Sequence, residues 1–220
     1  MSECSSQTWS LGAGVHAVVI DRDVVFLNIG ADRYDCLPDA AAELDLDRSS
    51  RRVTAAPDMA EALFSVGLLA RDGDLAPVKP IPAMPCRSDL PRIARRLRWR
   101  DLEDLLRSTL DIAVAYRGRS LAQIIAAARR SRPANGDGSA DPADIVARYH
   151  AWVPYAPVSG KCLLRSFMLL RALHRAGHTA DWVFGVATWP FRAHCWLQMG
   201  DIVLDDTVER VRAYEPILVV

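Results

Sequence analysis

The order of elements in the last third of the chain constrains the fold more than any other feature. Behind Cys162, apolar residues recur at helical spacing, at Leu163, Phe167, Leu170 and Leu173. Gly177 is placed to end this helix. Three strand-like segments follow, at residues 180–187, 193–199 and 202–204. The sequence therefore predicts an α+β fold in which a helix packs on an antiparallel sheet.

The helix and the strands carry the residue types that a thiol peptidase needs, in the order Cys162, His194 and the pair Asp205-Asp206. A thiol is a weak nucleophile near pH 7 until a helix N-terminus and an imidazolium partner lower its pKa. His194 would take the thiol proton and return it to the leaving amine, while an aspartate holds the imidazole ring. The backbone N–H of Cys162, in the first helical turn, is available to an oxyanion.

Alternation along the second strand orients its side chains. His194 and Trp196 fall on one face, so Cys195 is expected to point away from the site. Which aspartate reaches His194 depends on the hairpin. A two-residue loop at 200–201 puts Asp205 on the His194 face, whereas a three-residue loop at 199–201 places Asp206 opposite His194. The strand pattern leaves both open.

Three stretches together resemble the leader peptidase of lasso-peptide biosynthesis, a branch of the transglutaminase-like cysteine peptidases. They are Cys-Leu-Leu-Arg-Ser-Phe from Cys162, Trp-Pro-Phe-Arg-Ala-His-Cys-Trp ending at Trp196, and Val-Leu-Asp-Asp ending at Asp206. On this resemblance, Cys162, His194 and Asp206 match the positions of the catalytic triad. Asp205 stands where members of the family usually have Asn. The resemblance implies a papain-like, transglutaminase-like peptidase domain.

The first part of the chain predicts a small α+β module. Runs rich in β-branched residues at 15–20, 24–29 and 32–38 predict three strands joined by turns. Residues 38–46 and 59–69 predict two helices, the second begun by Asp58 and ended near Gly67. This part is similar to a winged-helix-like leader-peptide recognition domain, related to the small carrier protein of pyrroloquinoline quinone biosynthesis. Such a module binds an extended peptide as an added strand at a sheet edge.

Candidate substrate-binding residues come from both parts of the chain. Those expected in the leader groove are Arg33, Tyr34 and Cys36 on the third predicted strand and Phe64 on the last predicted helix. Trp189 and Trp196 are candidates for walls of the cleft that exclude water, with a place in the apolar core as the alternative.

The proline-rich stretch at residues 76–85 predicts a boundary between two domains. We place the leader-recognition domain at residues 1–82 and the peptidase domain at residues 83–220. The first is near the lower size limit of independently stable domains, so it is expected to lean on the second. Between residues 92 and 132, arginines and leucines share helical patterns, which predicts a solvated helix face or, as the alternative, a docking surface for a partner enzyme, an acidic peptide or a nucleotide.

Charge and composition limit the classes of partner and compartment. Lys plus Arg and Asp plus Glu each number 27, so no global attraction to nucleic acid or to an anionic membrane is expected. No segment has the length and apolarity of a membrane span or the pattern of a signal peptide, which predicts a cytoplasmic protein. The five scattered cysteines do not predict a disulfide framework. Only His174 and His178 approach the spacing of metal ligands, and no metal is expected.

The resemblance implies removal of the leader from a lasso precursor peptide by Cys-His-Asp catalysis. The expected partners are the precursor, through its leader, and an asparagine-synthetase-like macrolactam synthetase that uses the new amine. ATP dependence is associated with such systems, but the sequence has no phosphate-binding loop and no cofactor is expected. The alternatives are an acyltransferase of the same fold and a non-catalytic precursor-binding or chaperone protein with an inert thiol.

Overall fold

The computed structural model describes residues 7–71, 79–90, 98–133, 138, 140–156 and 162–220 of this α+β protein. The elements of the first part are β1 (Gln7–Leu11), β2 (Val15–Ile20), β3 (Asp23–Asn28), β4 (Arg33–Leu37), β5 (Leu44–Asp47), β6 (Arg52–Ala55), α1 (Pro57–Ser65) and β7 (Leu69–Ala70). They form two antiparallel sheets. One has the order β2-β3-β4 and the other the order β5-β6-β1-β7.

The second part contains most of the helices and a five-stranded sheet. Its helices are α2 (Trp99–Asp111), which runs into a π-helical turn (Ile112–Tyr116), α3 (Leu121–Arg130), α4 (Pro142–Trp152), α5 (Cys162–Arg175) and α6 (Val208–Val211). Its strands are β8 (Arg87–Ser88), β9 (Asp181–Ala187), β10 (Arg192–Met199), β11 (Ile202–Val203) and β12 (Glu215–Val219). The sheet order is β12-β9-β10-β11-β8, and the β8–β11 pair is parallel.

Helix α5 is the centre of the largest apolar core. Phe167, Met168 and Leu169 are fully buried in it, because the apolar face of the helix lies against the five-stranded sheet and helices α3 and α4. A smaller core on the other face of the sheet contains Trp196 and Val211. The sheet therefore has an apolar layer on both faces.

The first part of the chain shares the largest core. Val18, Val25 and Leu27, from β2 and β3, are buried in it together with α5. Polar contacts add to this junction, since Trp189 Nε1 donates to Asp23 Oδ2 at 2.7 Å and Lys79 Nζ lies 2.6 Å from Asp181. The four-stranded sheet instead shares a second core with α1 and with other side chains of β2 and β3, and this core contains only residues of the first part. The boundary at residue 82 stays a prediction.

Several predicted elements differ from the structure. The helix predicted at 38–46 is wrong, because only a 3-10 turn forms at Ala40–Ala42 and β5 then pairs with β6. The pairing between strands overrides a short apolar pattern there. The helix predicted at 59–69 is shifted, since α1 begins at Pro57 behind an Ala56 N-cap, and Asp58 lies in its first turn.

Helix α2 has an exposed side that is apolar. Within the described residues, its exposed side carries Trp99, Leu102, Leu106 and Leu110, all at helical spacing. This side is solvent-exposed, as the predicted solvated face requires, but its residues are apolar, so the choice between a solvated face and a docking surface stays a prediction. An exposed apolar stripe of this length is typical of an interaction surface.

Candidate active site

Cys162 is the first residue of α5, and its side chain is half-buried. The helix begins where the predicted pattern begins and ends before Gly177, which has a φ of 85°. The partial positive charge of a helix N-terminus favours a thiolate at this position. Residues 157–161, which lead into the helix, lie outside the described residues.

His194 lies near the start of β10, paired with Gly185 of β9. A Cβ on Gly185 would come within 2.9 Å of both the Trp196 ring and Tyr214 Cβ, so only glycine leaves room for these aromatic side chains. The imidazole lies over them, with ring centroids 6.2 Å from Trp196 and 5.1 Å from Tyr214. The orientation of the buried imidazole is thus fixed by packing.

Asp206 holds one end of that imidazole, with Oδ2 2.6 Å from His194 Nε2. The β10–β11 hairpin has the two-residue loop, because Met199 pairs with Ile202. Strand pairing would then have favoured Asp205, but the chain leaves the strand geometry after Val203. Asp205 Oδ1 accepts the backbone N–H of Leu197 at 2.8 Å instead. Neither hairpin alternative described this arrangement.

The second contact of the His194 imidazole is the Cys162 thiol, to which it is hydrogen-bonded. Because Nε2 is occupied by Asp206, Nδ1 is the ring nitrogen left for the sulfur. Cys162, His194 and Asp206 therefore form one hydrogen-bonded series, contributed by a helix start, a strand and the segment after β11.

The electrostatics of this series favour an ion pair. Hydrogen bonding by Cys195 and His194 outweighs burial and lowers the pKa of Cys162 to about 4. Burial acts to lower the pKa of His194, but hydrogen bonds to Asp206 and Cys162 raise it to about 9. Burial opposes ionisation of Asp206 too, yet the hydrogen bonds from His194 and the Thr207 N–H lower its pKa. A thiolate and an imidazolium are the stable pair near pH 7.

Cys195 does not point away from the site, so that expectation is wrong. Its side chain and its backbone N–H are both hydrogen-bonded to the Cys162 sulfur. Strand alternation does place Cys195 opposite His194, but α5, which begins with Cys162, packs on the Cys195 face of the sheet in the largest core. In addition, β11 pairs only with the far end of β10, at Gln198 and Met199. The edge of β10 near Cys195 has no strand beside it in the described residues, and Cys162 lies where side chains from both faces reach it.

Comparison with known protein families decides the wider assignment. A model described as the transglutaminase-like superfamily matches residues 106–219. The chain belongs to this superfamily. Neither the curated proteins nor the solved structures contain a match to the chain. The matched region includes Cys162, His194 and Asp206, and cysteine-based catalysis, in peptidases or acyltransferases, is general in the transglutaminase-like superfamily.

Part of the predicted leader groove lies beside Cys162 and Cys195. Arg33, Tyr34 and Cys36 are on β4, as predicted, and the Tyr34 ring packs against Phe191 with centroids 5.5 Å apart. Burial raises the pKa of Tyr34, and the nearby sulfurs of Cys195 and Cys162 raise it further. Strand β4 therefore runs near Cys162 and Cys195.

Phe64 does not lie with the β4 residues. It packs against Trp9 and is covered by the Arg71 guanidinium, 5.0 Å from its ring centroid, on the side of the four-stranded sheet. The contacts of the described residues therefore do not combine all four groove candidates into one surface. The apolar pattern of α1 gave no information about which sheet the helix covers.

The two tryptophan candidates have different environments. Trp189 is 67% exposed on the β9–β10 turn, where a substrate could contact it. Trp196 is 2% exposed and donates from Nε1 to Gln198 Oε1 beneath His194. Its predicted place in the cleft wall is therefore replaced by the core alternative, in which it supports the imidazole.

The structure gives no metal centre to this transglutaminase-like protein within its described residues, where no group of three His, Cys, Asp or Glu side chains is suitably placed. His174 Nδ1 lies 2.8 Å from Ser131 Oγ, and His178 Nε2 lies 2.5 Å from the Ala140 carbonyl oxygen. Both therefore have local hydrogen-bond partners. None of the helices in the described part of the chain has the length and apolarity required to span a bilayer.

Sequence reasoning missed three supporting residues: Ser166, Gly185 and Tyr214. Ser166, one turn after Cys162, accepts a hydrogen bond from Trp182 Nε1 at 2.9 Å and donates to the Cys162 carbonyl oxygen at 2.7 Å. A serine on the buried face of an amphipathic helix was the available signal. Gly185 in the middle of a strand was a second signal, since such a glycine often marks a close approach.

Proposed function

We propose that the chain is a cysteine peptidase that removes the leader segment from a lasso precursor peptide. The hydrogen-bonded series of Cys162, His194 and Asp206 is the observation that carries the proposal. Superfamily membership supports cysteine-based catalysis. The more specific role is supported by the resemblance of the sequence around the three residues to lasso leader peptidases.

The proposed reaction follows from the ion pair. The Cys162 thiolate attacks the scissile carbonyl carbon, and the resulting oxyanion is stabilised by the Cys162 backbone N–H at the helix start. The His194 imidazolium gives its proton to the leaving amine, which leaves a thioester on Cys162. His194 then takes a proton from water, and hydroxide attack releases the leader acid and restores the thiolate. Asp206 keeps the imidazole in position through both steps.

The proposed leader site is the outer edge of β4. In the described residues β4 pairs only with β3, so its outer edge has no strand partner there, and we propose that the leader pairs with it. A peptide along this edge would pass Tyr34 and Phe191 and approach Cys162. Exposed Trp189, on the same turn as Phe191, is the proposed contact for residues near the scissile bond.

The proposal includes the precursor and a macrolactam synthetase as partners in the cytoplasm. Hydrolysis needs only the thiolate, the imidazolium and water, so we propose no cofactor for the chemical step. ATP dependence, which the resemblance associates with such systems, is then expected to belong to the coupled reaction. Adding or omitting Mg-ATP in the cleavage assay tests this division.

The experiment that tests the function uses the full chain and a synthetic lasso precursor peptide, whose gene the proposal expects beside that of this chain. Mass spectrometry should detect a free leader acid and a core with a new N-terminal amine. Cys162→Ala should abolish cleavage while the precursor still binds. Cys86→Ala is the matched control, because Cys86 is exposed and hydrogen-bonded to Asp201, away from the site, and this variant should cleave normally.

Other products would identify the alternatives. A leader joined to an added amine, in place of the free acid, indicates an acyltransferase. Full biological output from Cys162→Ala indicates a precursor-binding or chaperone protein. Either result contradicts the peptidase proposal.

A further inference from the structure

Cys195, next to His194, is a buried thiol that the proposed reaction does not use. It is 3% exposed, and its sulfur is hydrogen-bonded to the Cys162 sulfur. Its backbone N–H also reaches the Cys162 sulfur. On the other side, Ser166 Oγ lies 3.4 Å from Cys195 Sγ. Cys195 therefore has two neighbours that could accept its single S–H proton.

The proton of the Ser166 hydroxyl is already used in a hydrogen bond. It accepts from Trp182 Nε1 at 2.9 Å and donates to the Cys162 carbonyl oxygen at 2.7 Å. A hydroxyl has one proton to donate and two acceptor positions. Ser166 is then an acceptor toward Cys195, and so is the Cys162 thiolate. Because a charged acceptor binds a donor more strongly than a neutral one, the thiolate is preferred.

We propose that Cys195 is a positioning residue whose S–H donates to the Cys162 thiolate in the resting enzyme and turns to Ser166 Oγ when Cys162 is acylated. This inference rests on the proposed cysteine chemistry. The two-point contact, from the S–H and the backbone N–H of Cys195, holds the nucleophile beside β10. No proton is transferred, so Cys195 stays a neutral thiol throughout.

Ser166 Oγ, as a second acceptor for the Cys195 S–H, is useful during the catalytic cycle. Attack converts the Cys162 thiolate into a neutral thioester sulfur, which is a poor hydrogen-bond acceptor. A buried donor left without a partner would destabilise the acyl-enzyme. Ser166 Oγ removes that destabilisation by accepting the S–H in the acyl-enzyme. Hydrolysis restores the thiolate and returns the S–H to it.

Other titratable groups face the two sulfurs and must be separated from the effect of Cys195. They are His194 on β10, Asp205 and Asp206 after β11, Tyr34 on β4 and Tyr116 of the π-helical turn. Burial raises the pKa of Asp205 to about 7, so it titrates within the range of an activity assay. Comparison of variants that leave all five groups in place removes their contribution.

The test measures the alkylation rate of Cys162 by iodoacetamide against pH, with the modified peptide identified by mass spectrometry so that the other thiols are not counted. Cys195→Ala should raise the half-point of the Cys162 profile by about 1 to 2 pH units, since a hydrogen bond to a charged group has that strength. Cys195→Ser keeps a donor and should stay near wild type. Cys86→Ala should not move the half-point.

A purely structural role for Cys195 would change thermal stability without moving the pH profile, and an unmoved half-point in folded Cys195→Ala overturns the inference. If that variant does not fold, infrared difference spectra of the wild-type protein before and after alkylation of Cys162 replace it. The S–H band of Cys195 should move to higher frequency when the thiolate is lost, and an unchanged band also overturns the inference. If the wild-type protein cleaves the precursor but the Cys162 pH profile does not move in Cys195→Ala, the proposed function stands and the inference about Cys195 fails. If the profile moves but the wild-type protein cleaves no precursor, only the proposed function fails.

Discussion

The two faces of strand β10 differ in what they supply to Cys162. One face carries His194, whose imidazole packs on the rings of Trp196 and Tyr214. Asp206 contacts the Nε2 atom of this imidazole. The other carries Cys195, which is neutral and contacts the buried Ser166. The first face supplies the ionisable partner, and the second supplies hydrogen-bond donors. The Cys162 sulfur therefore interacts with side chains from both faces of the sheet.

The largest expected effect comes from the His194 face. Asp206→Asn should lower kcat/KM for precursor cleavage by about 10²- to 10⁴-fold, because the imidazolium loses its carboxylate partner and its fixed orientation. Steady-state kinetics with the synthetic precursor measure the loss. Asp205→Asn is the matched control and should cost less, since Asp205 bonds the Leu197 N–H and not the imidazole. Equal losses would contradict the role given to Asp206.

The pH dependence of cleavage reports the ion pair between Cys162 and His194. Thiolate is lost as the pH falls through the lowered pKa of Cys162, about 4, and imidazolium is lost as the pH rises through the raised pKa of His194, about 9. The profile of kcat/KM should therefore be bell-shaped, falling about tenfold per pH unit outside these limits. An acidic limit near the ordinary thiol pKa would contradict the ion pair.

A larger side chain at Gly185 should disturb the aromatic side chains that support His194. Gly185→Ala should destabilise the protein by about 2 to 3 kcal/mol and lower activity, because the new Cβ would meet Trp196 and Tyr214 at 2.9 Å. Chemical denaturation and precursor cleavage measure the two effects. Gly30→Ala is the control, since its Cβ would only reach ordinary contact distance, 3.5 Å from Asn28. Unchanged stability in Gly185→Ala would show that this face has room to relax.

The smallest expected effect lies on the Cys195 face. Ser166→Ala should cost about 1 to 2 kcal/mol of unfolding free energy, since the buried Trp182 Nε1 loses its acceptor. Urea denaturation measures this cost. Ser65→Ala provides a matched control, because Ser65 Oγ also donates to a carbonyl one turn earlier but is exposed, and it should change stability little. A neutral Ser166→Ala variant would argue against the hydroxyl as the link between Trp182 and the Cys162 turn.

The periodic parts of the chain could be predicted from sequence. The apolar repeat that begins at Leu163 located α5, and the runs of apolar and aromatic residues located β9, β10 and β11 close to their observed bounds. The order Cys162, His194 and the aspartates indicated which elements meet. These features depend on short stretches of sequence, which is why periodicity suffices.

The remaining features depend on contacts between distant segments. The turn of Asp205 and Asp206 follows from where β11 stops, and the place of Cys195 follows from the face of the sheet on which α5 packs. The strand at Leu44–Asp47 forms because β6 pairs with it, which residues 38–46 alone do not encode. Phe64 was misplaced for the same reason, since the pattern of α1 does not specify the sheet that it covers.

Val18, Val25 and Leu27 bear on how interchangeable the two halves of the chain are. These side chains come from the half proposed to recognise the leader, yet they fill space beside the helix that begins with the reactive cysteine. A leader-recognition unit taken from a relative would have to match their volumes as well as the peptide. Reprogramming substrate choice by exchange of whole halves is therefore expected to fail more often than redesign confined to the outer edge of β4.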